Sequence, residues 1–343
     1  MTNVIRQSNF ESLRIFSILL ITSMHILGVA FHTENVINKI LILIVNTLGN
    51  TGVTLFILIS GYWGIHFKLS KLIRLILIVW GYSVVSYSLG VYLGKEPFSF
   101  SQLFISIFPV LCKKYWFITC YVVIYCFSSY LNSLINTLSR AHYKRLLLIW
   151  GFFFLLAPTL LFEEIQNDSG KGLVNLVFTY FVGQYFQKYG FPISIKKHTY
   201  SILTISLLLI FICNSILSYL TGNIVLRFAR DNNVLILWAS CIIFYIVTQR
   251  KYYSQLINYL SGFVFPLYLL QGSIISWLHP WIVTHIQDDN FTLIFIGILF
   301  FICFVTVITE VIRRLLFTPI ENKIVNFVEK KILLFYNRQR YIS

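Results

Sequence analysis

A chain of 343 residues that is 57% hydrophobic and only 11% charged cannot be a water-soluble globule. Soluble domains average about 25% charged residues, so this much apolar surface needs lipid as its solvent. The net charge of +15 does not denote a nucleic-acid binder, because the lysines and arginines sit in short clusters between apolar runs and form no soluble basic domain.

The first apolar run, 13–32, exceeds the apolar region of about 7–15 residues found in cleavable signal peptides. It is flanked by Glu11 and Arg14 rather than by a lysine-rich start, so it reads as a retained membrane helix. Residues 36–48 form a short or re-entrant apolar helix leading into a second span at 47–66. Further runs fall at 72–93, 115–137, 145–162, 172–190, 199–220, 233–249, 262–284 and 292–316. The pattern predicts an all-α integral membrane protein of about ten transmembrane helices. No internal repeat is visible, which weighs against a secondary transporter. Residues 1–317 form the multi-span membrane domain, and 318–343 a basic cytoplasmic tail. In that tail Ile324, Phe327, Val328 and Ile332 recur at helical spacing with lysines on the flanks, the pattern of an amphipathic helix on the inner leaflet.

Charge sets the orientation. With the N-terminus inside, only Lys39, Lys95, Lys113, Lys114, Lys171, Arg227 and Arg230 of the 27 lysines and arginines fall outside. The positive-inside rule therefore places both termini in the cytoplasm. The cysteines, Cys112, Cys120, Cys126, Cys213, Cys241 and Cys303, form no Cys-x-x-Cys pair. They read as small buried apolar residues rather than as a zinc site or disulfides, and no metal is expected. His32, His66, His142, His198 and His285 fall near loops or interfaces, without metal-ligand spacing.

Chemistry is expected where ionisable groups interrupt apolar runs. Arg14 and His25 are eleven positions apart, about three helical turns, and so share one face about 16 Å apart. Ser17 and Thr22 lie in the same span. Lys71 and Arg74, in Ser70-Lys71-Leu72-Ile73-Arg74, share a helix face at the inner rim of the third span. They suit either a positive-inside anchor or a phosphate clamp. Gly52, Ser60 and Gly61 allow close helix approach in the second span. Glu163, Glu164 and Asp168 read as a solvated outer loop, with contact to a sugar as the alternative, and Glu310 as a local pair with Arg313 and Arg314.

Taken together, these signals resemble the membrane-bound acyltransferase-3 family, of polysaccharide O-acetyltransferase type. The likeness rests on Arg14 and His25 at the family's spacing and on Leu55-Phe56-Ile57-Leu58-Ile59-Ser60-Gly61. It rests further on Lys71 to Arg74 and on Tyr115-Trp116-Phe117. The sequence departs from the family at Leu267-Tyr268-Leu269-Leu270-Gln271, where relatives often carry a histidine at the position of Gln271.

The resemblance implies transfer of an acyl group, acetyl being the expected one, from acyl-CoA. The acceptor would be a hydroxyl of a cell-surface polysaccharide or its lipid-linked precursor, and the location the bacterial cytoplasmic membrane. Arg14, Lys71 and Arg74 are then the donor-binding residues. His25 is the catalytic residue with Arg14, as a general base or as a transient acyl carrier. The expected partners are membrane lipid, carbohydrate acceptor and acetyl-CoA, with no nucleic acid. A transporter or flippase of lipid-linked oligosaccharide is the alternative.

Overall fold

The computed structural model describes residues 7–340, apart from the side chains of Ser194 and of residues beyond Lys331. Arg6, the side chain of Ile332 and residues 341–343, which entered the reading above, lie outside what is described. No strand occurs among the described residues, and the fold is all-α.

In chain order the helices are α1 (Ser8–Gly28), α2 (Val36–Gly49), α3 (Thr51–Trp63), α4 (Leu69–Tyr92), α5 (Phe100–Ile107), α6 (Trp116–Thr137) and α7 (Arg140–Gly151). A π-helical segment, Phe152–Leu156, joins α7 to α8 (Ala157–Leu161). Pro158 has no N–H to return to the preceding turn, so the ladder is disturbed there. Then follow α9 (Leu173–Tyr189), α10 (Ile193–Lys197), α11 (Thr199–Thr221), α12 (Val234–Thr248), α13 (Gln255–Leu260), α14 (Val264–His285) and α15 (Phe291–Arg340).

Eight helices or joined helices among the described residues are long and apolar enough to cross a membrane. Two further apolar runs fall on shorter helices, α9 with 17 residues and α12 with 15. At about 1.5 Å per residue neither reaches the roughly 30 Å of a hydrocarbon core. The connections preceding them account for the shortfall, because they fold inward. The Asn50 side chain, at the junction of α2 and α3, hydrogen-bonds the Ala229 carbonyl. The neighbouring Gly49 packs on Met24, in the last two turns of α1. The connection before α12 therefore lies at the depth of mid-α1 to late α1.

Polar groups that cap helices also pin the ends. Asn35 accepts from the Ile37 and Asn38 N–H groups, and Asn233 from that of Leu235; each satisfies backbone donors that the first turn leaves free. At the end of the bundle that carries Asn35, Thr33 and Asn38 donate to the Ile286 carbonyl at 2.7 and 2.9 Å. At the opposite end Ser8 and Asn9 bond the Ser254 and Val247 carbonyls.

The closest helix pair is α3 and α9. A Cβ on Gly61 would collide with the Tyr180 carbonyl, and one on Gly183 would sit 2.7 Å from the Leu58 carbonyl. Gly52 in turn lets α3 approach α1, with a Cβ there only 2.7 Å from the Ser17 carbonyl. Small residues are thus the contact itself. The last helix, α15, continues past residue 317 without a break to Arg340. Val325 is buried against the body, whereas Ile324 and Phe327 stay exposed on the apolar face of the tail.

Candidate active site

α1 is an interior helix, and one face of it lines a cavity of about 330 Å³. Arg14, Ile18 and Ile21 form that wall. They stand at i, i+4 and i+7, and His25 takes the next place, i+11, on the same stripe. Phe56 and Ser60 of α3, Leu75 of α4, Phe117 and Tyr121 of α6, and Val264, Phe265 and Tyr268 of α14 complete most of the lining. Three of the segments that carried the family resemblance, those with Arg14, with Phe56 and Ser60, and with Phe117, therefore meet at one hollow, although they are scattered through the chain.

Arg14 closes one end of this cavity. It is half-buried and paired to Glu11, which is buried one turn earlier on the same helix. Only one guanidinium N–H group is committed to that pair, so others remain to reach a ligand. The Tyr121 hydroxyl lies within reach of Ser60 and within the field of Arg14, giving that end a polar corner. The rest of the lining is apolar or aromatic, with Phe117 between Phe56, Tyr121 and Tyr268 at ring distances of 5.8 to 6.3 Å. A narrow hollow with one cationic mouth suits an anionic molecule with an apolar arm.

His25 is accessible, although α1 is enclosed by other helices. The side chain of Gln271 on α14 lies beside its ring, and the charge of Lys171 reaches it from the connection before α9. The other polar residues of α1 do different work. Thr22 donates back to the Ile18 carbonyl at 2.9 Å, and Ser17 is fully buried where Gly52 packs; neither lines the cavity.

Lys71 and Arg74 lie on the same exposed rim of α4 and do not line the cavity, which begins at Leu75. Arg74 donates to Asn322 of α15 at 2.7 Å. In the second span Ser60 lines the cavity, while Gly52 and Gly61 serve packing.

One sequence reading is extended and one is corrected. Glu310 forms the expected i,i+3 and i,i+4 pair with Arg313 and Arg314, but it does not stop at these partners. It is buried and accepts from Tyr82 at 2.6 Å, from Arg313 at 2.7 and 2.9 Å and from Arg314 at 2.6 Å. Arg313 also pairs with Glu321, and Arg314 donates to the Gly262 carbonyl at 2.8 Å. This network clamps α15 to α4 and to the turn beside Ser261 on the cavity wall. Glu163, Glu164 and Asp168 do not form a uniformly solvated loop. Glu164 pairs with Arg230 and accepts from the Ser169 N–H, tying the connection before α9 to the one before α12. Burial works against its charge, but these donors hold its carboxyl below the usual range.

A third feature of that region carried no sequence signal. Asp231 is 3% exposed, and neither of its carboxylate oxygens has a hydrogen-bond partner. Burial pushes its pKa up to about 7, opposed by Lys171 and reinforced by Asp168. Tyr121 and Tyr268 were also missed as cavity residues, although Tyr268 belongs to the same motif as Gln271. No group of three or more His, Cys, Asp or Glu suited to a metal ion occurs among the described residues.

The model of the acyltransferase domain family matches residues 7–310, nearly the whole chain. The protein belongs to that acyltransferase family. It is accordingly a multi-pass membrane enzyme that transfers acyl groups other than aminoacyl groups, with an acyl donor as substrate. Comparisons with curated proteins and with solved structures return no match.

Proposed function

We propose that this acyltransferase moves an acyl group, acetyl first among them, from acyl-CoA to a hydroxyl of a cell-surface polysaccharide or its lipid-linked precursor. In this reading it works in a bacterial cytoplasmic membrane, with ten spans and both termini inside. The observation that carries the reading is the single stripe on α1, on which Arg14, Ile18 and Ile21 line the cavity and His25 takes the next place beyond its lining. The nucleotide phosphates of the donor meet Arg14 at the inner mouth, with Lys71 and Arg74 on the adjoining rim. The apolar arm then lies along Ile18 and Ile21, which brings the thioester towards His25.

The acceptor comes from the opposite side. The inward-folded connections before α9 and α12 bring polar groups to the level of His25, which supports access for a sugar from the outer face. In the transfer step His25 takes the proton of the acceptor hydroxyl as its oxygen attacks the thioester carbonyl. The new C–O bond forms, the C–S bond breaks, and the proton passes to the departing thiolate. Direct general-base transfer is the simpler of the two histidine roles, because both substrates reach His25 at once from opposite sides. The apolar face of the tail, with Ile324 and Phe327 exposed, lies on the inner leaflet in this arrangement.

The test is His25→Ala in purified, folded protein, with radiolabelled acetyl-CoA and a surface glycan as acceptor. Turnover falls by about 10² to 10⁴, the usual contribution of a general base, while acetyl-CoA affinity is retained. Near-normal turnover in both His25→Ala and His25→Gln removes the catalytic assignment.

A further inference from the structure

The side chain that the family resemblance leaves unexplained is Gln271. It is 2% exposed on α14, and its Oε1 atom has no partner at hydrogen-bonding geometry. A buried amide oxygen without a donor costs roughly 1–3 kcal/mol, so its retention in an apolar helix calls for a reason. The neighbour that supplies one is the His25 ring, which its side chain approaches. Other polar atoms along α14 have different addresses: Trp277 donates to Glu96 at 3.0 Å, and Thr284 to the Trp281 carbonyl at 2.8 Å.

We infer that Gln271 is a positioning residue for His25: its amide oxygen accepts the proton of one ring nitrogen, and this leaves the other nitrogen free, unprotonated and aimed at the acceptor hydroxyl. The inference rests on the reading of His25 as the base. An amide suits this task differently from a carboxylate. It fixes the tautomer and the ring plane as any acceptor does, but it carries no charge that would hold the proton after transfer. Among the described residues, the charge of Lys171 reaches the ring from the connection before α9. Arg14 and Glu11 stand on α1 itself, at least three turns away. An amide acceptor thus orients the ring without placing a counter-charge beside it, and the proton that the ring receives passes on to the leaving thiolate.

The experiment compares Gln271→Glu and Gln271→Leu with the wild-type chain in lipid nanodiscs, using two readouts. The first is independent of turnover. Diethylpyrocarbonate modifies only unprotonated imidazole, and peptide mass spectrometry follows its rate at His25 from pH 5 to 9. Gln271→Glu, nearly identical in shape, moves the midpoint for His25 upward by one pH unit or more, because a carboxylate stabilises the imidazolium. The second readout is turnover of acetyl-CoA with acceptor. Gln271→Leu lowers kcat at least tenfold with KM for acetyl-CoA within twofold, and Gln271→Glu shifts the acidic limb of the pH profile in step with the modification midpoint.

A His25 midpoint that stays within 0.3 unit in Gln271→Glu overturns the contact. Wild-type kcat in Gln271→Leu overturns the positioning role. If the midpoint moves as expected but His25→Ala retains full turnover, the base assignment fails while the Gln271–His25 contact stands, so the two failures are told apart.

Discussion

Replacing Glu310 by glutamine tests the claim that one buried carboxylate holds α15 to α4. Glu310 lies 3% exposed and accepts four hydrogen bonds, three of them from arginine nitrogens and one from the Tyr82 hydroxyl. Hydrogen bonds to charged groups contribute roughly 1.5–3 kcal/mol each. Their plain sum overstates the loss, because Arg314 is 38% exposed and regains water, and Arg313 keeps Glu321. Removing one partner of a buried ion pair costs about 3–5 kcal/mol, and the exposure of Arg314 puts this site near the lower end, about 3 kcal/mol. Glutamine preserves the shape but turns one acceptor into a donor facing arginine donors. The assay is equilibrium unfolding in mixed detergent micelles followed by tryptophan fluorescence. Tyr82→Phe serves as a second variant, losing about 1 kcal/mol, and the double variant loses less than the sum, as expected of residues sharing one network. Because Arg314 also holds the Gly262 carbonyl beside the cavity wall, Glu310→Gln further weakens acetyl-CoA binding. A Glu310→Gln protein within about 0.5 kcal/mol of wild type would refute this account.

Arg14→Ala weakens acetyl-CoA binding about ten- to a hundredfold, the equivalent of one charge-assisted contact, and Arg14→Lys restores it only in part; equilibrium binding of labelled acetyl-CoA checks both. Gly61→Leu drives a side chain into the Tyr180 carbonyl and Gly183, so folded yield by size-exclusion chromatography drops sharply, whereas Gly222→Asn, at an open helix end with φ of 71°, leaves it unchanged. Asp231→Asn alters the pH dependence of stability. Its folded pKa of about 7 exceeds the ordinary carboxyl value of 3.8, so the folded chain holds a proton that the unfolded chain has released. The contribution of Asp231 to stability is therefore greatest below about pH 4, declines as pH rises towards 7 and levels off above it, by up to about 4 kcal/mol. Thermal scans of Asp231→Asn from pH 4 to 8 show a flatter profile and greater stability at pH 8; an unchanged profile counts against a buried, neutral Asp231.

The membrane class, the helical fold and the stripe from Arg14 to His25 follow from the sequence, because they depend on local properties. Hydropathy over about 20 residues and a period of 3.6 are written in consecutive positions. The same locality explains why Gly52 and Gly61 could be read as sites of close approach before their partners were visible. What those partners are, and which scattered residues share a hollow, depends on contacts between distant parts of the chain. Phe56, Phe117 and Tyr268 meet only because α3, α6 and α14 pack around α1. Glu310 looked like a local helix pair because Arg313 and Arg314 are its neighbours in sequence, yet its depth and its bond to Tyr82 come from α4. Asp231 gave no signal of its own, and Gln271 gave one only as a departure from the family pattern, since burial without a partner is a property of the surroundings and not of the residue. Residues 172–190 and 233–249 read as full spans in the sequence, whereas α9 and α12 are shorter helices. That the loops before them fold inward to the level of His25 was decided by tertiary packing, where Asn50 and Asn175 bind the Ala229, Gly170 and Asp231 carbonyls and so satisfy backbone groups that lipid could not.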